Sequence, residues 1–101
     1  MINFHEFAVL AALATWPDLG FPTDEVAGVS AGFCKGDPRG TTSLEDCDKA
    51  LLEITNKGWA ASGNGYTVIT ATGMQLMIDN GYLDANSWRE HKFESSVGCN
   101  N

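Results

Sequence analysis

The chain is short of basic residues. Among its 101 residues only six are Lys or Arg, against thirteen Asp and Glu, and the formal net charge is −7. Proteins that bind nucleic acid draw much of their affinity from cations that contact phosphates. The charge balance therefore opposes a simple nucleic-acid binder and favours a basic partner, although a net charge of this sign is also ordinary for solubility.

Cysteines are few and are not spaced as pairs. Cys34, Cys47 and Cys99 form no CxxC motif, so we expect reduced thiols rather than a disulfide framework. The first residues, MINFHEF, lack the positive segment of a signal peptide. The longest mostly apolar run, from Phe7 to Trp16, is too short to span a membrane. These absences predict a cytoplasmic protein with no membrane segment.

Catalytic and metal-binding motifs are also missing. His5 and His91 lie near opposite ends of the chain, and no pair of histidines or cysteines has the spacing of zinc ligands. Asp46 and Asp48 are two residues apart in a predicted helix, so they point in different directions and cannot act as an acid/base pair. No serine has the context of a nucleophile elbow. We therefore expect a non-catalytic protein with no cofactor and no metal.

The apolar residues that are present predict a single folded domain. They make up 44% of the chain, which excludes disorder, and the length fits one domain over residues 1–101, with 96–101 as a frayed tail. Asn3 and Glu6 have capping-box spacing before a helix that is apolar almost all round and ends at Pro17. Such a helix lies in a core or in a subunit interface.

A short strand and a second helix are predicted next. Gly20-Phe21 can form the strand, and Thr23 can cap the helix. Val26, Val29 and Phe33 are then spaced to face the core.

The stretch from Ser43 to Gly73 carries the clearest pattern. Thr42 or Ser43 can cap a helix there, and the Thr42/Glu45 pair has capping-box spacing. Apolar residues recur every three or four positions, which predicts one buried face of the helix. The residues of that face are Leu44, Cys47, Leu51 and Ile54.

Two β-forming runs follow that helix. Trp59–Ser62 and Tyr66–Thr70 are joined through Gly63-Asn64-Gly65, and Asn-Gly favours a type I′ hairpin because both central residues need a positive φ. Thr70 then opens another helix that ends near Asn80-Gly81. A last helix is predicted over Trp88–Ser95.

The segments ALLEITNKGW and GYTVITATG resemble the recognition helix, wing and closing segment of winged helix-turn-helix domains, notably the MarR- and PadR-like regulators. The resemblance implies an α+β, mostly helical fold with a two-stranded β-hairpin wing and an extra C-terminal helix. It also implies a homodimer through the N- or C-terminal helices. The main departure is the segment 34–42, CKGDPRGTT, where a helix-turn-helix has a turn of about three or four residues.

The outward face of the predicted recognition helix decides between functions. It holds Glu45, Asp46, Lys49, Glu53 and Asn56. Carboxylates repel phosphates, and Arg, Lys, Asn and Gln are the usual readers of bases. The favoured hypothesis is an acidic protein-binding inhibitor or adaptor, of the anti-CRISPR, antirepressor or DNA-mimic type, that engages a basic nucleic-acid-handling partner.

Two alternatives stay open. One is a homodimeric, DNA-binding transcriptional regulator of the winged-helix class, because helix N-termini and hydroxyls can also bind phosphate. The residues proposed for DNA contacts are Lys35, Arg39, Thr41, Thr42, Ser43, Lys49, Asn56 and Asn64. The other is an assembly or scaffold piece whose acidity serves only solvation.

Overall fold

A computed structural model of the chain describes residues 2–35 and 42–81. The predicted helix over Trp88–Ser95, the tail 96–101 and residues 36–41 of the segment 34–42 lie outside the described residues. Within them the elements run in the following order: α1 (Phe4–Thr15), β1 (Phe21–Pro22), α2 (Val26–Phe33), α3 (Leu44–Asn56), β2 (Ala60–Gly63), β3 (Tyr66–Ile69) and α4 (Ala71–Asp79). The fold is α+β and mostly helical, as the sequence predicted.

The strands form one antiparallel sheet in the order β1–β3–β2. The predicted two-stranded hairpin is thus extended by β1, in which Phe21 pairs with Thr67 and Pro22 with Tyr66. Asn64 and Gly65 at the hairpin turn have φ of 54° and 80°, which is the backbone that a type I′ turn requires. The element order and the strand order are compatible with a winged helix.

α1 forms the centre of the core. It begins at a capping box in which the Glu6 amide donates to Asn3 Oδ1 at 2.8 Å and the Asn3 amide donates to Glu6 Oε1 at 3.1 Å. Every residue from Glu6 to Thr15 is buried, and the helix contacts α2, α3, α4 and β3. Because its own chain covers most of α1, little of this helix is left for a second subunit. The homodimer stays a prediction.

The start of α2 differs from the prediction. Thr23 does not cap the helix, because a 3-10 turn at Thr23–Glu25 comes first and no side chain caps α2. β1 instead brings Thr23 beside β3, where its Oγ1 shares a 2.9 Å hydrogen bond with Thr67 Oγ1. Val26 is buried and Val29 is half-buried.

Ser43 caps α3, and its Oγ accepts from the Asp46 amide at 3.1 Å. The predicted capping box of Thr42 and Glu45 is not formed, because Thr42 bonds to α1 instead. The buried face consists of Cys47, Ala50, Leu51 and Ile54. The expectation that Leu44 belongs to this face is wrong, since 58% of its surface is exposed. Leu44 is the first helical residue and lies at the margin of the buried stripe.

Thr70 joins the end of α3 to the start of α4. Its Oγ1 accepts from the Gly73 amide at 3.1 Å, as an N-cap does, and donates to the Gly58 carbonyl at 2.7 Å. Gly73 lies so close to the preceding loop that a Cβ there would overlap the carbonyl oxygen of Trp59. In the Thr-x-x-Gly pattern, Thr70 therefore caps α4, and Gly73 allows the close approach of the backbone at Trp59.

We expect Gly73→Ala to destabilise the protein by about 1–3 kcal/mol, although Ala is the better helix former, because overlap with a backbone atom cannot be relieved by a rotamer change. Gly32→Ala in α2 is the matched control, since a Cβ at Gly32 meets nothing within 4 Å. The control should raise the free energy of unfolding in urea. A Gly73→Ala protein as stable as the control would contradict this account.

Candidate functional site

α3 turns one face to the core and the opposite face to solvent. On the solvent side Glu45, Lys49, Glu53 and Asn56 are exposed, so these four predicted contact residues share an accessible surface. No ion pair engages the carboxylates of Glu45 or Glu53 within the described part of the chain. Both charges are therefore available to an external cation.

Asp46, the fifth predicted contact residue, has a different position and role. It is half-buried at the margin of α3. Its amide donates to Ser43 Oγ, and Ser43 Oγ lies 3.0 Å from Asp46 Oδ2 in a second hydrogen bond. A carboxylate in the first turn also favours the positive end of a helix. Asp46 therefore supports the start of α3 and is less available to a partner.

An apolar residue that was not predicted to be there lies in the middle of this surface. Leu52 is 63% exposed. It lies one turn after Asp48, which is also exposed, and its helical neighbours are Lys49 and Asn56. We call this surface the α3 front. Its residues are Glu45, Asp48, Lys49, Leu52, Glu53 and Asn56.

The helical period itself could have indicated Leu52. Residues 47, 50, 51 and 54 share one face of the helix, and position 52 falls on the opposite side. A leucine on the wrong side of an amphipathic helix is a signal for a binding surface only when it has polar neighbours that can form a rim. Here Asp48, Lys49 and Asn56 are those neighbours, and Glu45 and Glu53 add two further acids to the same front.

A groove of about 460 Å³ lies between α2 and α3 beside the α3 front. Gly28 and Val29 of α2 and Leu44 of α3 supply its apolar lining. Its carboxylates come from the 3-10 turn before α2 and from α3. The acidic residues are Asp24, Glu25 and Asp48. We call this feature the α2–α3 groove.

The lysines of the described residues do not form a basic surface. They are Lys35, Lys49 and Lys57. Lys57 Nζ lies 2.6 Å from Glu6 Oε2 and 4.6 Å from the centroid of the Trp59 ring. Because an ion pair and an aromatic face both hold this ammonium, it contributes little to external contacts. Lys49 is then the one cation of the α3 front.

The residues proposed for DNA contacts are only partly brought together. Ser43 caps α3, and Thr42 is engaged with α1, so both hydroxyls have internal partners. Asn64 is exposed at the hairpin turn, and the residues on either side of it there are glycines. Lys35, Lys49 and Asn56 are exposed. Arg39 and Thr41 lie outside the described residues.

A chain of polar side chains links α1 to α3. His5 Nδ1 lies 2.9 Å from Thr42 Oγ1, and Thr42 Oγ1 lies 3.2 Å from Cys47 Sγ. The arrangement does not suit a nucleophile. Burial raises the pKa of the Cys47 thiol, the Thr42 hydrogen bond opposes this rise, and the nearby Asp46 and Asp48 charges add to it. The side chain is also fully enclosed, so this cysteine has a structural role.

Within residues 2–35 and 42–81, no group of three or more His, Cys, Asp or Glu side chains is arranged to hold a metal ion. In the same residues no helix has the length and apolar character needed to cross a bilayer. A second groove of about 430 Å³ lies along α4 between Trp59 and Leu76.

Comparison with protein-family models, with curated proteins and with solved structures gives no match.

The Glu6–Lys57 contact gives a testable consequence. Glu6 is 1% exposed, whereas the Lys57 side chain is 45% exposed. Lys57→Met leaves a buried carboxylate without its cation, and we expect a loss of about 1–3 kcal/mol, less than for a fully buried pair because solvent screens the lysine.

Lys49→Met is the control for this substitution, because Lys49 is exposed on α3; it should change stability by less than about 0.5 kcal/mol. The double variant Glu6→Gln, Lys57→Met should recover part of the loss, because the unpaired charge is removed. Equal urea midpoints for the two lysine variants would refute the role given to Lys57.

Proposed function

We propose that the chain is a non-catalytic winged-helix module that binds a basic, nucleic-acid-handling protein through the α3 front and acts as an inhibitor or adaptor. One observation carries this proposal: Leu52 is exposed among the carboxylates of the helix that resembles a recognition helix. A location in the cytoplasm belongs to the same proposal.

The apolar centre of the front favours a protein partner over DNA. Burial of a leucine side chain against a partner contributes about 1.5–3 kcal/mol. DNA offers a leucine few apolar groups besides the thymine methyl in the major groove, and its phosphates are repelled by Glu45, Asp48 and Glu53. A protein surface with an apolar patch surrounded by Lys and Arg satisfies both parts of the front.

The acidic rim supports the choice of a basic partner. Charges at the edge of an interface steer association and reject partners of like charge more than they add affinity. A protein that handles nucleic acid carries the required positive surface. Occupation of that surface by the α3 front would exclude nucleic acid from it.

We expect Leu52→Asp to abolish the interaction, because it removes the apolar centre and adds a charge that must be desolvated. Glu45→Lys combined with Glu53→Lys should also abolish it through charge repulsion. The measurement is affinity capture from a nuclease-treated extract of the source cells, followed by mass spectrometry. The expected result is enrichment of a protein with a basic nucleic-acid-binding domain.

The matched control is Leu19→Asp, since Leu19 is 73% exposed in the turn before β1. It should leave capture unchanged, and circular dichroism should show all variants folded. Asp46 is left unaltered because reversal there would also disturb the start of α3. Capture that survives both α3 variants would show that the front is not the contact.

A DNA-binding regulator is the second candidate. It is favoured by an element order compatible with a winged helix and by the exposed Lys35 and Lys49. On this proposal the protein would retard duplex fragments from its own promoter, with an affinity that falls steeply as salt rises. Arg39→Ala and Lys49→Ala should weaken retardation. Absence of any shift at low salt, across a pool of genomic fragments, would remove this candidate.

A further inference from the structure

The α2–α3 groove combines an apolar lining with carboxylates on two different elements. Gly28, Val29 and Leu44 form the apolar part, and a Cβ built on Gly28 meets nothing within 4 Å. Leu44 is exposed here because none of the described residues of the chain packs over it. The groove therefore has room for a side chain from another molecule.

Three carboxylates form the charged part of the groove. No ion pair or side-chain hydrogen bond within the described residues engages Asp24, Glu25 or Asp48. Asp24 and Glu25 lie in the 3-10 turn before α2, whereas Asp48 belongs to α3. Of the residues that line the groove in the described part of the chain, none is basic. A cation that enters from outside is thus offered carboxylates from two elements.

We propose that the α2–α3 groove receives a basic segment of the partner protein in which an aliphatic side chain lies between Lys or Arg residues. The aliphatic side chain packs over Gly28 against Val29 and Leu44, and the flanking cations pair with Glu25 and Asp48. This inference rests on the proposed protein-binding function, and it adds α2 to the contact surface. Asp48 belongs to both the α3 front and the groove, so the two surfaces are continuous.

Charge complementarity favours a basic protein segment over nucleic acid or a second copy of this chain as the occupant of the groove. Nucleic acid would bring phosphates to an acidic groove. A second copy of this chain, with a net charge of −7, would bring an acidic molecule to an acidic rim. A basic peptide with an apolar anchor matches the lining and the rim together.

The test uses the full chain and fluorescein-labelled peptides in which arginines flank a single leucine, with fluorescence anisotropy as the readout. Gly28→Leu fills the groove from within and should weaken binding at least about tenfold. Gly32→Leu is the matched control on the same helix, where a Cβ also meets nothing within 4 Å. Both variants should raise Tm, because leucine replaces a helical glycine, so loss of binding by Gly28→Leu cannot be ascribed to unfolding.

Two further comparisons separate the apolar and charged parts of the groove. A peptide of equal charge with serine in place of leucine should bind several-fold more weakly than the leucine peptide. Glu25→Gln combined with Asp48→Asn should weaken binding and reduce its dependence on salt. The control is Asp79→Asn, which removes an exposed charge on α4. It should change neither the affinity for the peptide nor its dependence on salt.

The outcomes distinguish this inference from the proposed function. Binding that is lost in Leu52→Asp but unchanged in Gly28→Leu overturns the groove inference and leaves the proposed function standing. Absence of peptide binding, or equal binding of the leucine and serine peptides, also overturns the inference. Self-association that Gly28→Leu removes would make a second copy the occupant. Duplex DNA that binds in place of the peptides would refute both proposals.

Discussion

The first turn of α1 is attached to both ends of α3, and this double attachment fixes what α3 presents to solvent. His5 contacts Thr42, just before α3, and the adjacent Glu6 contacts Lys57, just after it. Between these points Cys47 and Ile54 are fully buried against the core. A rotation of α3 about its axis would break both polar contacts and expose the buried face, so the orientation of the helix is strongly determined.

The properties of the outward face follow from that orientation. With the apolar stripe held inward, Leu52 and the carboxylates around it are left outside. Their positions are set before any partner arrives, which lowers the conformational entropy that binding must overcome. The same attachment removes Lys57 from the external charge. Lys49 is therefore the one cation beside the carboxylates of the α3 front.

Local features of the fold could be predicted from the sequence. The Asn3–Glu6 cap, the Asn64-Gly65 turn and the start of α4 at Thr70 each depend on residues at most a few positions apart. Their chemistry is therefore complete within a short window of sequence.

Features that depend on distant residues could not be predicted. Glu6 and Lys57 are 51 positions apart, and Thr23 and Thr67 are 44 apart; nothing in the local pattern of either residue points to the other. The exposure of Leu44 has the same origin, because the margin of a buried stripe is set by the helices packed against it rather than by its period. The acidic face of α3 was predicted from the sequence. The exposure of Leu52 at its centre and the groove beside it could be identified only from the three-dimensional positions of the residues.

One measurement tests the central claim most directly. A photo-cross-linking amino acid is placed at position 52 in the living source cell, with position 19 as the reference site. The account predicts an adduct at position 52 that protease removes and nuclease does not, and no such adduct at position 19. An adduct at position 52 that nuclease removes would contradict it.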